Sequence, residues 1–174
     1  LATMGLLIFA LVALWMPETL PDHQRQPIHP LSVAQAYGGM FSHLPFMLLA
    51  LLFGINFGGL FIYIASAPEL IYIHLGYGAR DFWRLFVPVV AGIVIGSFLA
   101  GRLAHRLTSS QGVSFGVVVM AAAALLNVAL THVPFQSVVT LITPVALYAV
   151  GMALAMPGLS LLGLDMFPAR RGMA

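Results

Sequence analysis

The sequence contains no cysteine and no lysine, and charged residues make up only 7% of its 174 positions. Without cysteine, the chain cannot form disulfides, thiolate zinc sites or cysteine nucleophiles. The 7 basic residues are all arginines, scattered in ones and twos, so they do not form the basic patch that binds nucleic acid. The scarcity of charge also excludes an ordinary soluble domain, in which about one quarter of residues are charged.

Signatures of catalysis and of nucleotide binding are missing as well. The sequence has no glycine-rich phosphate loop followed by lysine, no Gly-x-Ser-x-Gly and no His-Glu-x-x-His. Its 6 histidines are dispersed over loops and interfaces, without the helical spacing of a zinc-binding pair. We therefore predict a protein that is not an enzyme and that requires no metal ion or cofactor.

Apolar residues, by contrast, make up 61% of the sequence and gather into long segments. They cover approximately residues 1–16, 44–67, 84–104, 112–130 and 136–162, and the last four approach the ~20 residues with which a helix crosses a bilayer. The runs are continuous, whereas a β-barrel alternates with a period of two. The expected fold class is all-α, a polytopic bundle of transmembrane helices. Both chain ends are interpreted as truncations, which makes the first segment a partial span.

The polar stretches predict the domain organisation. Residues 1–16 are interpreted as the end of one span, residues 17–43 as a long polar loop, and residues 44–174 as a partial transmembrane helical domain. The loop is rich in proline, and a short surface helix around Ser32–Tyr37 is compatible with it. Arginines are more numerous on the side of the membrane that holds loops 17–43 and 105–111, so both loops are predicted to be cytoplasmic.

The second apolar segment places one amide, that of Asn56, in the middle of the membrane. The aromatic residues at helical spacing around it are Phe53, Phe57 and Tyr63. This pattern favours one of two arrangements: a cavity of aromatic rings with a polar group, suited to a greasy substrate, or a hydrogen bond from Asn56 to another helix with the rings toward lipid. Tyr148 and Asn127 leave the same two alternatives open.

Three further features have both a functional and a structural interpretation. Glu69 borders the second segment, where an acid is either a proton carrier or an interfacial group. Pro157 and Gly158 interrupt the last segment as either a hinge or an inert kink. Gly92 and Gly96 have the four-residue spacing of a helix-packing face, which is either a static or a sliding contact.

Three short stretches carry a family resemblance. They are Met16-Pro-Glu-Thr-Leu, Gly96-Ser-Phe-Leu-Ala-Gly-Arg-Leu-Ala-His-Arg and Phe167-Pro-Ala-Arg-Arg-Gly-Met-Ala. In the major facilitator superfamily they are similar, in order, to the end of span six, the Gly-x-x-x-Asp-Arg-x-Gly-Arg signature between spans eight and nine, and the connection after span ten. The chain resembles the drug:proton antiporters of the Bcr/CflA type over about spans six to ten, which makes it a truncated C-terminal half of that fold.

The second stretch departs from the signature. Gly101 stands directly before Arg102, where the signature has an acid, and His105 directly before Arg106, where it has glycine, with one residue more between the two arginines than in the signature. The resemblance implies that these two arginines lock the cytoplasmic helix ends in one conformation, with Asp165 as an acid that pairs with Arg102. The alternative is that the arginines only anchor the topology.

The resemblance also implies a function. Such antiporters have twelve spans in two halves and export drugs or small amphipathic molecules across the inner (cytoplasmic) membrane in exchange for protons. The expected partners are the lipid bilayer, a small-molecule substrate, protons and the missing N-terminal half of the same chain, which in similar antiporters holds most of the proton-binding acids. A facilitator-type uptake carrier and a non-transporting membrane scaffold subunit are the alternatives.

Overall fold

The computed structural model of the protein describes residues 2–15, 30–132 and 137–166, and within these ranges no strand occurs. The α-helices are α1 (Ala2–Trp15), α2 (Pro30–Phe41), α3 (Leu44–Glu69), α4 (Trp83–Leu103), α5 (Ser109–Thr131) and α6 (Val138–Met166). The chain divides into two compact units, residues 1–40 and 41–174. The all-α fold class is therefore confirmed.

The first unit begins with α1, an apolar helix of 14 residues in which no residue is buried. Its length is less than the ~20 residues that cross a bilayer, and its assignment as the end of a span stays a prediction. Most of α2 also belongs to this unit. This helix occupies the second half of the predicted 17–43 loop and is longer than the short helix considered there. Residues 16–29 lie outside the described part of the chain.

The second unit contains helices that are long and apolar enough to cross a membrane. These stretches run over Leu44–His74, Ala79–Leu103, Ser109–Thr131 and Val138–Met166, which confirms the last four predicted segments. Large apolar side chains such as Phe61, Phe98 and Leu125 are exposed on the outside of the unit. An outward apolar surface of this kind is stable when lipid covers it.

Helix α6 lies between α4 and α5 and packs closely against both. Gly92 and Gly96 of α4 are buried against the carbonyls of Ala146 and Val150, with no room for a β-carbon. On the other side, a β-carbon on Gly116 of α5 would lie 2.6 Å from the Gly151 carbonyl oxygen. Small residues allow backbones to approach this closely. The face predicted from Gly92 and Gly96 is thus a packing contact with α6.

The connection predicted at residues 68–83 is partly helical, which corrects the sequence interpretation. α3 continues through Pro68, is followed by a π-helical turn at Leu70–His74, and a 3₁₀ turn covers Ala79–Asp81. The reason is apolar packing: Ile71 is fully buried in a cluster that includes Leu85 and Val89. This burial outweighs the backbone donor that proline removes.

The connection between α4 and α5 is shorter than predicted because a capping box starts α5 early. The Thr108 hydroxyl accepts a hydrogen bond from the Gln111 N–H at 3.3 Å, and the Gln111 side-chain oxygen accepts one from the Thr108 N–H at 2.9 Å. These two bonds satisfy N–H groups at the helix start that would otherwise be unpaired. α5 therefore begins at Ser109 rather than near residue 112.

Candidate functional site

Two cavities lie along the interface between α3 and α6, in opposite halves of the helix bundle. The first, here named the aromatic cavity, has a volume of about 510 Å³. It is lined by Phe46, Leu49, Ala50, Phe53, Gly54 and Phe57 of α3 and by Leu159, Ser160, Gly163 and Leu164 of α6. It therefore lies toward the Leu44 end of α3, where the last turns of α6 arrive.

The second cavity, here named the tyrosine cavity, has a volume of about 390 Å³. Its lining comprises Gly59, Ile62, Tyr63, Ser66 and Leu70 from the α3 side, Ala123, Ala124, Asn127 and Thr131 of α5, and Leu141, Pro144, Val145 and Tyr148 of α6. Both volumes are in the range of about 300–1,000 Å³ that is typical of small-molecule sites. None of the described residues that line either cavity carries a formal charge.

The predicted cavity residues are divided between these two cavities. Phe53 and Phe57 line the aromatic cavity, with their ring centroids 5.9 Å apart. Tyr63 and Tyr148 line the tyrosine cavity. Asn56 lines neither, because its residue is 0% exposed. One predicted helical face thus contributes to two cavities, and Asn56 on the same face is buried outside both.

Both tyrosine hydroxyls are bound to the backbone of a neighbouring helix. The Tyr63 hydroxyl donates to the Leu85 carbonyl of α4 at 3.0 Å. The Tyr148 hydroxyl of α6 lies 3.0 Å from the Ile55 carbonyl and 3.1 Å from the Asn56 carbonyl, both of α3. Buried phenols usually find such a partner. The two side chains connect α3 to α4 and to α6.

The Asn56 side chain stands out among the buried groups. Its amide oxygen and nitrogen are both buried and have no hydrogen-bond partner among the residues that the structure describes. Leaving a buried polar group unpaired costs about 1–3 kcal/mol. The sequence analysis allowed a hydrogen bond from Asn56 to a neighbouring helix. Within the described residues, this hydrogen bond is not formed.

The predicted charged residues lie at the ends of the bundle. Arg102, Arg106 and Asp165 are exposed where α4 and α6 end, and the Arg102 guanidinium lies 4.8 Å from the Phe98 ring centroid. Glu69 is exposed at the opposite end of α3. The gating and proton-coupling roles of these residues stay predictions.

The proposed hinge at Pro157 and Gly158 lies inside a continuous helix, since α6 runs without interruption from Val138 to Met166. A β-carbon on Gly158 would lie 2.6 Å from the Ser109 carbonyl oxygen at the start of α5. The glycine is therefore required by helix packing. Whether Pro157 also acts as a hinge stays a prediction.

Sequence reasoning missed two arrangements. Gly59 receives the Tyr148 ring: a β-carbon there would lie 2.6 Å from the Tyr148 hydroxyl oxygen. Nothing in the Gly58-Gly59 pair indicates which glycine faces another helix. Asp81, two residues before α4, and Arg84, in its first turn, form an ion pair at 3.1 Å, and their three-residue spacing was the available signal. No group of three potential metal ligands occurs within the described ranges.

The family model described as Major Facilitator Superfamily matches residues 1–174. The uncharacterized MFS-type transporter YdgK of Bacillus subtilis (strain 168) is 27% identical over 176 residues, covering 100% of this chain and 43% of the relative, so the chain spans less than half of that protein's length. No solved structure matches the chain significantly. Because the family model covers the whole chain, this protein belongs to the Major Facilitator Superfamily of membrane transporters.

Proposed function

We propose that the full-length protein is a secondary active transporter that exports drugs or other small amphipathic molecules across the cytoplasmic membrane in exchange for protons. The observation that supports this proposal is the pair of uncharged cavities along the α3–α6 interface. Their linings combine apolar surface with a few neutral polar groups, which is the composition that binds amphipathic molecules.

The aromatic cavity supplies most of the apolar contact. Phe46, Phe53 and Phe57 line its α3 side, and Ser160 is a hydroxyl on its α6 side. Aromatic rings offer a large contact area and accept flat apolar groups by stacking or edge-on contact. We infer that this cavity takes the apolar part of the substrate.

The tyrosine cavity supplies neutral hydrogen-bonding groups. Asn127 and Ser66 line it together with the rings of Tyr63 and Tyr148. The Ser66 hydroxyl already donates to the Tyr63 carbonyl at 3.1 Å, so Asn127 is the side chain that we assign to the polar part of a substrate. An amide both donates and accepts hydrogen bonds, and it therefore suits neutral polar groups.

Coupling to protons is assigned mainly to residues outside this chain. Within the described part of the second unit, the only buried polar or charged residue is Asn56, and an amide does not titrate. Glu69 is the candidate proton carrier in this chain, although it is exposed at the end of α3. We assign Arg102, Arg106 and Asp165 to the closing of the cytoplasmic helix ends, and Pro157 with Gly158 to the bending of α6.

Facilitated uptake is the second candidate, and one observation favours it. No acid is buried among the described residues, which is the arrangement expected of a carrier that needs no proton relay. Facilitated flux follows the substrate gradient alone, whereas an antiporter responds to an imposed pH gradient.

The test is transport by the full-length protein in proteoliposomes. Ethidium serves as an amphipathic cation and chloramphenicol as a neutral compound, each with and without an imposed pH gradient. Flux that is driven by the gradient and abolished by a protonophore is expected. Flux that ignores the gradient would replace the antiporter by a facilitator, and the absence of flux for both compounds would contradict the proposal of broad amphipathic export.

A further inference from the structure

The start of α4 carries aromatic and charged side chains that line neither cavity. They are Tyr77, Arg80, Asp81, Trp83 and Arg84, here named the arginine patch. Tryptophan and tyrosine at the end of a membrane helix are typical of the level of the lipid headgroups. The patch therefore lies where the bilayer meets water.

Arg84 is held in place by its neighbours but leaves its hydrogen-bond donors unused. Its guanidinium carbon lies 4.8 Å from the Tyr77 ring centroid and 5.5 Å from that of Trp83. Its Nε lies 3.1 Å from the Asp81 carboxylate without the alignment of a hydrogen bond. A guanidinium has five N–H donors, and none of them forms a hydrogen bond to the residues that the structure describes. An arginine fixed in this way is preorganised to bind an anion with several oxygens.

A second cation lies beside Arg84. Arg80 precedes it by four residues in a segment that is helical almost throughout, first as the 3₁₀ turn and then as α4. Side chains four residues apart on a helix lie on the same side. Arg80 is exposed and has no ion-pair partner within the described ranges. Two arginines and one aspartate leave the patch with a net charge of +1, which complements the single negative charge of a phosphodiester.

Apolar surface continues from the patch into the membrane. Val87, Val90 and Val94 follow Trp83 at spacings of four, three and four residues, so they extend one face of α4. All four side chains are more than half exposed. A free phosphate ion would gain nothing from this face, whereas a phospholipid places its phosphate at the headgroup level and its acyl chains along apolar surface below it.

From this geometry we infer that the arginine patch binds an anionic phospholipid, with Arg84 and Arg80 on the phosphate and an acyl chain along the face from Trp83 to Val94. The inference goes beyond the transport function proposed above and does not rest on it, because no residue of the patch lines either cavity.

The experiment uses Trp83 as a reporter inside the patch. In the full-length protein, Trp15→Phe and the replacement of any tryptophan outside this chain leave Trp83 as the fluorophore. The protein is reconstituted in phosphatidylcholine bilayers that contain either phosphatidylglycerol or phosphatidylcholine with brominated acyl chains. Bromine quenches a tryptophan that it contacts, so the ratio of the two quenching efficiencies measures the preference of the site next to Trp83 for the anionic lipid.

Trp83 is expected to be quenched more strongly by brominated phosphatidylglycerol. Arg84→Gln should lower the preference about fivefold, the contribution of one arginine near an anionic headgroup, and Arg80→Gln should lower it as well. Asp81→Asn should raise it, because the net charge increases while an oxygen remains for the Gly78 N–H. Arg102→Gln is the matched control: it removes the same charge at the opposite end of α4 and should leave the preference unchanged.

Four results would overturn the inference. The first is equal quenching by both lipids with the patch intact. The second is an unchanged preference in both Arg84→Gln and Arg80→Gln, and the exposed Arg80 decides the matter if the first variant does not fold. The third is an equal loss in Arg102→Gln, which would indicate general surface charge.

The fourth result is a preference that inorganic phosphate abolishes and chloride of the same ionic strength does not, which would assign the patch to free phosphate. The quenching assay contains no transported compound and no pH gradient. The lipid site and the proposed transport function therefore fail separately.

Discussion

Helix α6 has two kinds of interface, which differ in whether backbone atoms or side-chain atoms contact a glycine of the neighbouring helix. Toward α4 and α5 the contacts are backbone against backbone, with carbonyls of α6 on Gly92 and Gly96 and a glycine of α6 on Gly116. Toward α3 the contact at Gly59 is a side chain, and two cavities lie along the same interface. At the first kind of interface the atoms in contact belong to the backbone and cannot move without moving a helix, whereas at Gly59 the atoms in contact belong to a side chain, which has rotamers of its own.

The largest effect is expected from crowding the fixed interface. In Gly116→Ala, the new β-carbon would lie 2.6 Å from the Gly151 carbonyl oxygen and 2.7 Å from the Ala155 β-carbon. Neither atom can yield without moving α6, so the free energy of unfolding should fall by about 3 kcal/mol. Thermal unfolding of the purified protein in detergent measures it.

Gly112→Ala is the matched control, one turn earlier on α5 and with no atom within 4 Å of the new carbon. Replacing an unpacked helical glycine by alanine gains about 0.5–1 kcal/mol. Equal stability of the two variants would show that the α5–α6 interface accommodates the added carbon. The contacts of α6 with α5 and with α3 would then not differ in rigidity.

The next effect concerns the unpaired amide of the α3 interface. Asn56→Leu replaces a buried polar side chain by an apolar one of similar size and removes the cost of the unpaired amide. The free energy of unfolding should rise by about 2 kcal/mol. Thermal unfolding of the variant beside the unmodified protein measures it. A less stable variant would mean that Asn56 has a partner outside the described residues.

A smaller effect is expected when the aromatic cavity is enlarged. Phe57→Ala removes a ring from its lining and should raise the KM for ethidium about tenfold, the effect of losing roughly 1.4 kcal/mol of apolar contact. Phe61→Ala is the control on the same helix, because Phe61 is 63% exposed and lines neither cavity. Similar KM values for both variants would place the substrate elsewhere.

Sequence alone predicts the features that lipid imposes and misses those that depend on a distant neighbour. Apolar segment length predicted four membrane helices, because lipid imposes that length whatever the neighbours are. It failed at residues 68–83, where the burial of Ile71 keeps the chain helical beyond Pro68. Helical spacing grouped Phe53, Asn56 and Tyr63 on one face, but it did not indicate that this face is divided between two cavities. That division depends on α6, whose Tyr148 contacts Asn56 from 92 residues away along the chain, and no local pattern encodes such a contact.

The smallest effect is expected at Gly59, where the contacting atoms belong to a side chain. A β-carbon on Gly59 would lie 2.6 Å from the Tyr148 hydroxyl oxygen. This is the same distance at which a β-carbon on Gly116 would lie from the Gly151 carbonyl oxygen. The atom in the way belongs to a side chain that can rotate, so Gly59→Ala should cost only about 1 kcal/mol, the net value of the lost hydrogen bond. Thermal unfolding beside Gly116→Ala and Gly58→Ala measures the difference. A loss as large as that of Gly116→Ala would mean that α3 is held as firmly as α4 and α5.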